Sequence, residues 1–289
     1  MPFRKAVLSL AVLLLATAPL ALAQGTYTQV DVPGAIATNA NGIDVAGHIT
    51  GDYVDSGNRA HGFPLNAGVY TTIDYPSASD TYLFNINNKG QVVGRTVGST
   101  TAGTGFVYSI PAQQFTEITY PGALYTFPTA INDAGVIGGA FQLNGDDLGF
   151  ALIGSTYRPI GLNGSSYSWV MGISDSNEYV GPMNAGINTN FLFSQGKYHV
   201  LSLQDAPGAT VTGIRPDGKA IVGYYYASNP GWGGFLYQNG TITAVQFPES
   251  TGTFPSSINV SGVVAGFFFD AEGNSHGFTW TPPADAGKK

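Results

Sequence analysis

An internal repeat constrains this chain more than any other feature. An isoleucine recurs at Ile43, Ile86, Ile131, Ile173, Ile214 and Ile258, in steps of 43, 45, 42, 41 and 44 residues. A period of this length marks stacked supersecondary modules, none of which can bury its apolar face alone. Four residues after each isoleucine stands Gly47, Gly90, Gly135, Asn177, Gly218 or Gly262. Glycine and asparagine tolerate positive φ, so this is the left-handed position of a tight turn. Directly after the isoleucine come Asp44, Asn87, Asn132, Ser174 and Asn259, whose short polar side chains bond nearby backbone and start such a turn. Arg215 is the departure at that position.

A second anchor runs in phase with the first, at Phe63, Phe106, Phe150, Phe191, Phe235 and Phe278, preceded by glycine everywhere except at Asn190. A third pairs an aromatic or aliphatic residue with an aliphatic one three positions on: Tyr70 with Ile73, Phe115 with Ile118, Tyr157 with Ile160, Tyr198 with Leu201, and Ile242 with Val245. This signature also occurs once ahead of the first module, as Tyr27 with Val30. Each module therefore reads as four short strands. In the first they fall at about residues 38–44, 48–53, 61–65 and 69–75, with Asn66-Ala67-Gly68 as a hairpin signal between the last two.

Four antiparallel strands in about 43 residues make one blade of a β-propeller, and the expected fold is all-β with six such blades. Forty glycines, a low charge content and many Tyr and Phe fit that turn-rich class. The sixth module stops after Trp280 at Pro282-Pro283 without a fourth strand, while the strand at Tyr27 to Val32 has no module of its own. The N-terminal strand is expected to complete the last blade and close the ring, pairing edges that an open stack exposes. A parallel β-helix is the other architecture weighed, but its coils are much shorter than 43 residues.

The modules resemble the HAF-repeat family of extracellular bacterial proteins, on Tyr70 to Pro76, Phe115 to Gly122, Ile86 to Gly94 and Ser275-His276-Gly277-Phe278. The resemblance spans Tyr27 to Trp280 and is weakest in the fourth module, at Ser174, Asn177 and Asn190. It implies an exported repeat protein and no settled activity.

The first 23 residues read as a signal peptide: Arg4 and Lys5, an apolar run from Ala6 to Leu15, then Ala21-Leu22-Ala23. The expected division is a signal at 1–23, the propeller at 24–283 and a tail at 284–289. The mature protein is expected to be secreted, extracellular or periplasmic, monomeric, and not inserted in the membrane after cleavage. Removal of the signal leaves 9 basic and 18 acidic residues, with the basic ones scattered. That balance argues against nucleic acid as a partner. The chain has no cysteine, and a core of this size needs no disulfide.

No catalytic constellation stands out. His61 and His276 share a repeat position, and the reading adopted is a consensus residue bonding a loop carbonyl, since two histidines without further ligands make a poor zinc site. Acidic groups at Asp52 and Asp55, Asp146 and Asp147, and Asp270 with Glu272 and Asn274 are assigned to loops between second and third strands. Calcium is a weak candidate there, solvated turn carboxylates the stronger reading, and no other cofactor is expected. The arginine cluster of a sialidase is missing.

Aromatic residues concentrate in the connections from each fourth strand to the next first strand. The candidate ligand-binding set is Tyr82, Tyr125, Tyr167, Trp169 and Phe254, with Trp232 from a second-to-third-strand loop. Flat aromatic faces beside Asn, Ser and Asp suit sugar rings or an extended peptide. Phe84 and Phe127 are expected to pack between blades instead. The leading function is a non-catalytic binding module for carbohydrate or cell-envelope polymer. The alternatives are a polysaccharide hydrolase or lyase using Asp146, Asp147 or Asp270, and a structural or adhesive surface protein with a protein partner.

Overall fold

The structure is a computed structural model and describes residues 25–98, 103–161, 165–184, 188–201, 203, 206, 208–226 and 231–283. The signal segment 1–23 and the tail 284–289 lie outside the described residues. Among the described residues there is no helix, and hence none long and apolar enough to cross a membrane.

The chain opens with β1 (Thr26–Val30) and continues into a four-stranded antiparallel sheet of β2 (Ala37–Ile43), β3 (Ile49–Val54), β4 (Ala60–Asn66) and β5 (Val69–Tyr70). A second sheet holds β6 (Asp80–Ile86), β7 (Gln91–Val97), β8 (Gly105–Ser109) and β9 (Gln114–Ile118). The third holds β10 (Thr126–Ile131), β11 (Ile137–Leu143), β12 (Asp146–Ile153) and β13 (Thr156–Ile160). The fourth holds β14 (Gly172–Ile173), β15 (Tyr179–Asn184), β16 (Asn188–Ser194) and β17 (Lys197–Leu201).

The remaining strands are β18 (Thr210–Ile214), β19 (Ala220–Tyr226), β20 (Trp232–Gln238), β21 (Thr241–Val245), β22 (Gly252–Ile258), β23 (Val264–Phe269) and β24 (Ser275–Thr281). The repeat predicts two further separate sheets here. The structure instead joins these strands and β1 in one eight-stranded sheet, because a single parallel pair, Trp232 with Gly252, bridges β20 to β22. The sheets stand in a propeller ring.

Local chemistry explains the repeat motif. In every module the residue four after the anchor isoleucine has positive φ, from 60° at Asn177 to 84° at Gly47, and its N–H donates back to the carbonyl three residues earlier. The asparagine after the isoleucine has two tasks. Asn132 Oδ1 accepts the N–H of Val136 at 2.9 Å and caps its own turn, while Nδ2 donates to Ser174 O of the next module at 3.0 Å. Asn87 reaches Asn132 O at 3.0 Å and Asn259 reaches Asp44 O at 2.9 Å in the same way. The second anchor is the core: Phe63, Phe106, Phe150, Phe191, Phe235 and Phe278 are all fully buried. Asn190 replaces the preceding glycine by bonding the next module, with Nδ2 donating to Ala209 O and Oδ1 accepting from Val211 N.

The fourth strand of the first module is shorter than expected, ending at Tyr70. Pro64 is the reason: Thr71 N donates to Pro64 O at 3.1 Å, but proline has no N–H to return the bond. The pairing resumes at Gly62 and Ile73.

The terminal strands meet as expected. Strand β1 pairs antiparallel with β24 from Thr26 opposite Thr281 to Val30 opposite Gly277. Its pattern, a half-buried aromatic and a buried aliphatic three residues on, repeats that of β9 and β13.

Candidate functional site

Five of the six inner strands carry a β-bulge just before the anchor isoleucine, between Ala40 and Gly42, Leu83 and Ile86, Pro128 and Ala130, Val211 and Gly213, and Pro255 and Ser257. A bulge leaves a residue unpaired and re-aims its side chain. The residues at these breaks, Asn41, Phe84 with Asn85, Thr129, Thr212 and Ser256, line one cavity of about 460 Å³ to which all six modules contribute; Met171 holds the same place in the fourth. This volume lies in the range of about 300–1,000 Å³ typical of small-molecule sites.

The bulge side chains also stitch neighbouring modules. Asn41 Nδ2 donates to Leu83 O at 2.9 Å, Thr212 Oγ1 to Pro255 O at 2.6 Å, and Thr129 Oγ1 to Val170 O. Asn85 Nδ2 donates to Ser257 Oγ at 3.3 Å, joining the second module to the sixth. Asn85 and Ser257 also border a second space of about 40 Å³ lined by the six anchor isoleucines, with room for only a few waters.

The second strand of each module supplies the rest of the wall. A Cβ on Gly51 would lie 1.8 Å from Asn39 O, and one on Gly181 would lie 1.9 Å from Trp169 O. Only glycine lets these strands approach so closely, which accounts for glycine at this position in every module. The next residue varies: Asp52, Arg95, Ala140, Pro182, Tyr224 and Phe267. Arg95, Pro182, Tyr224 and Phe267 line the cavity.

Arg95 is the residue that sequence reasoning missed. Its guanidinium carbon lies 4.7 Å from the Phe127 ring centre and 5.1 Å from that of Tyr82, a double cation–π contact. Its Nε is buried and has no hydrogen-bond partner, and the same is true of Trp169 Nε1. Asp52 lies inside β3, not in a loop as expected, and is buried. It accepts from Asn39 at 2.9 Å and from Asn41 at 2.7 Å. Burial pushes its carboxyl up to about 6, against the pull of the two asparagines and the Arg95 charge.

Of the six aromatics singled out in the sequence, Tyr167, Trp169 and Phe254 line the cavity. Tyr82 holds Arg95 from outside the lining. Tyr125 stacks on Phe127 at 4.2 Å, and its hydroxyl donates to Asp147. Burial, then that bond, drives the Tyr125 hydroxyl pKa well up. Trp232 sits edge-on to Tyr226 at 5.2 Å and to Tyr224 at 5.7 Å.

Several assignments change. Tyr82 and Phe254 lie within the inner strands β6 and β22, and Trp232 opens β20, so they are strand residues and not loop residues. Phe84 and Phe127 do pack between modules, Phe84 against the cluster shared by the second and third and Phe127 as a buried ring beside Gly103 of the second, and both also line the cavity. Asp146 and Asp147 likewise begin β12.

The two repeat histidines bond carboxylates and not loop carbonyls. His61 Nδ1 is 2.8 Å from Asp74 and its Nε2 3.2 Å from Asp55. His276 repeats the pattern with Asp31 at 3.0 Å and Asp270 at 3.2 Å. Asp270 is lowered to about 2, first by its bond from Asn274. No group of three or more potential metal ligands gathers among the described residues.

No protein-family model matches the chain, and no curated protein matches it in sequence. Solved structures do match in fold. TolB from Acinetobacter baumannii superposes with a TM-score of 0.62 at 10% identity, over 86% of this chain and 65% of its own. This chain thus spans about two thirds of TolB. A lectin from Aleuria aurantia, in complex with Fucα1-6GlcNAc, gives 0.54 at 10% identity over 87% of this chain and 93% of its own. The β-propeller domain of the trilobed protease from Pyrococcus furiosus gives 0.50 at 9% identity over 84% and 95%. At such identity the likeness is one of fold.

Proposed function

We propose that this chain is an exported propeller of the HAF-repeat kind that binds a saccharide in its central cavity without transforming it. The observation that carries the reading is the cavity itself, with Tyr167, Trp169, Tyr224 and Phe254 among its aromatic walls and Asn41, Thr129, Thr212 and Ser256 at its bulge positions. Aromatic faces stack on the apolar face of a pyranose, while hydroxyl-rich ligands need polar partners around the edge. The lectin of like fold, solved with a bound disaccharide, supports the class of ligand.

In this reading the ring counts six blades. The eight-stranded sheet is two blades joined by the one pair at Trp232 and Gly252, and the six anchor isoleucines surround a single channel. Isothermal titration against glycans selected on an array tests the function. Trp169→Ala should weaken the strongest of them by about tenfold or more; unchanged affinity sinks the site.

One observation favours a second reading. Asp147 accepts from Tyr125 and, at 3.1 Å, from Gln142, and it pairs with Tyr167 of the cavity wall. A hydrolase or lyase acting on polysaccharide would place a carboxylate at such a rim. Release of reducing sugar that vanishes in Asp147→Asn would establish turnover.

A further inference from the structure

We propose that the saccharide taken by this cavity is acidic, a uronate whose carboxylate is bound by Arg95. The inference rests on the saccharide reading and adds to it the charge of the ligand.

The hydrogen-bond inventory of the wall is uneven. Thr129 and Thr212 have already spent their hydroxyl protons on Val170 O and Pro255 O, so what they offer inward is acceptor capacity, which suits sugar hydroxyls. Among the buried side-chain donors of the described residues, those without acceptors are Arg95 Nε and Trp169 Nε1. A half-buried arginine that lines a cavity with no carboxylate in direct contact is unusual, because a charge withdrawn from water is stabilised by pairing.

Here the compensation is partial. The Tyr82 and Phe127 faces hold the guanidinium in place and leave its planar hydrogen-bonding edge unused. Among the described residues Arg95 makes no ion pair, unlike Arg59 with Asp74 and Arg215 with Asp217. Asp52 feels the Arg95 charge, but its two oxygens are taken by Asn39 and Asn41.

A chain with net charge −7 repels acidic polymers in general, so an acidic ligand requires a local cation, and the cavity holds one. A carboxylate is the planar anion that the guanidinium fork matches in two parallel bonds. A uronate supplies that group, an apolar ring face and hydroxyls on one scaffold.

The test compares trigalacturonate, its fully methyl-esterified form and neutral galactotriose, by titration calorimetry on the wild-type protein and on Arg95→Gln. The expected result is that wild type binds trigalacturonate more than about tenfold tighter than either neutral probe, and that Arg95→Gln erases the difference. Equal affinity of wild type for the acidic and neutral probes overturns the inference and leaves the saccharide reading standing. Binding of none of the three, with no glycan active on the array, removes both. An acid preference that survives in Arg95→Gln overturns the role of Arg95. Should Arg95→Gln not fold, judged by its melting transition, the contrast between acid and methyl ester on wild type decides, supplemented by Arg95→Lys. The lysine variant should keep the acid preference in weakened form, and loss of all preference on that charge-conserving change would contradict anion pairing.

Discussion

The hydroxyl of Tyr27 accepts the backbone N–H of Gln246 at 2.8 Å, tying β1 to a segment 219 positions further along the chain. The same ring lies edge-on to Phe247 at 5.5 Å and tilted against Trp280 at 6.1 Å. Ring closure therefore depends on packing as well as on the β1–β24 ladder. Deleting residues 24–33 should lower stability by more than about 4 kcal/mol, since it removes a whole ladder and uncovers Trp280, whereas deleting 284–289 should stay within about 0.5 kcal/mol. Equal melting midpoints for the two truncations would contradict closure by β1.

Asn132 joins adjacent modules and caps its own turn from a buried position. Asn132→Ala leaves the Val136 N–H and the Ser174 carbonyl without their partner. The expected cost is about 2–4 kcal/mol in urea unfolding, from two buried polar groups at about 1–3 kcal/mol each before relaxation. An effect below about 0.5 kcal/mol would mean that the asparagine repeat is a turn signal only.

His276 links β24 to Asp31, just beyond the closing strand, and to Asp270. Burial pulls its pKa down, but the bonds to the two carboxylates outweigh that and the net direction is up. A raised folded-state pKa means that the stability from this site is fully present below the unfolded value of 6.5 and is lost as pH rises through the folded one. An NMR titration should find His276 above 6.5, and Asp31→Asn should move it down. A midpoint at or below 6.5 in wild type would contradict the double carboxylate contact.

Asp52 has the opposite character for a carboxylate. Its pKa is raised from 3.8 to about 6, so the folded state holds a proton that the unfolded state has released. Stability from this group is full below 3.8 and falls as pH rises to about 6, by roughly 3 kcal/mol from a shift of about two pKa units. The difference in unfolding free energy between wild type and Asp52→Asn should change by that order between pH 3.5 and 7. A difference constant across that range would show that Asp52 is not buried as a carboxylate.

Much of the scaffold was legible because its chemistry repeats. The turn glycines, the six buried phenylalanines and the orphan strand at Tyr27 each follow from a rule with one physical cause, applied in successive modules. The site was half legible. Aromatic clustering pointed to Tyr167, Trp169 and Phe254, but β-bulges leave little local signature, so nothing in the sequence showed that Phe84 and Phe127 line the cavity as well as packing between modules. Arg95 was passed over for a related reason. The useful signal lay in the contrast between a glycine fixed by close strand approach and the residue after it, which changes from Asp52 to Arg95 to Tyr224. The parallel bridge at Trp232 and Gly252 is a contact between modules that no local motif encodes.

The central claim is that the cavity binds saccharide, and a thermal-shift panel of glycans on wild type and on Tyr167→Ala/Trp169→Ala tests it most directly. A glycan at a hundred times its dissociation constant should stabilise wild type by about 2.7 kcal/mol, a rise of roughly 5 °C or more for a chain of this size. That rise should vanish in the double variant. A glycan-induced rise that persists in the double variant, or a panel in which no glycan moves the wild-type midpoint, would contradict the claim.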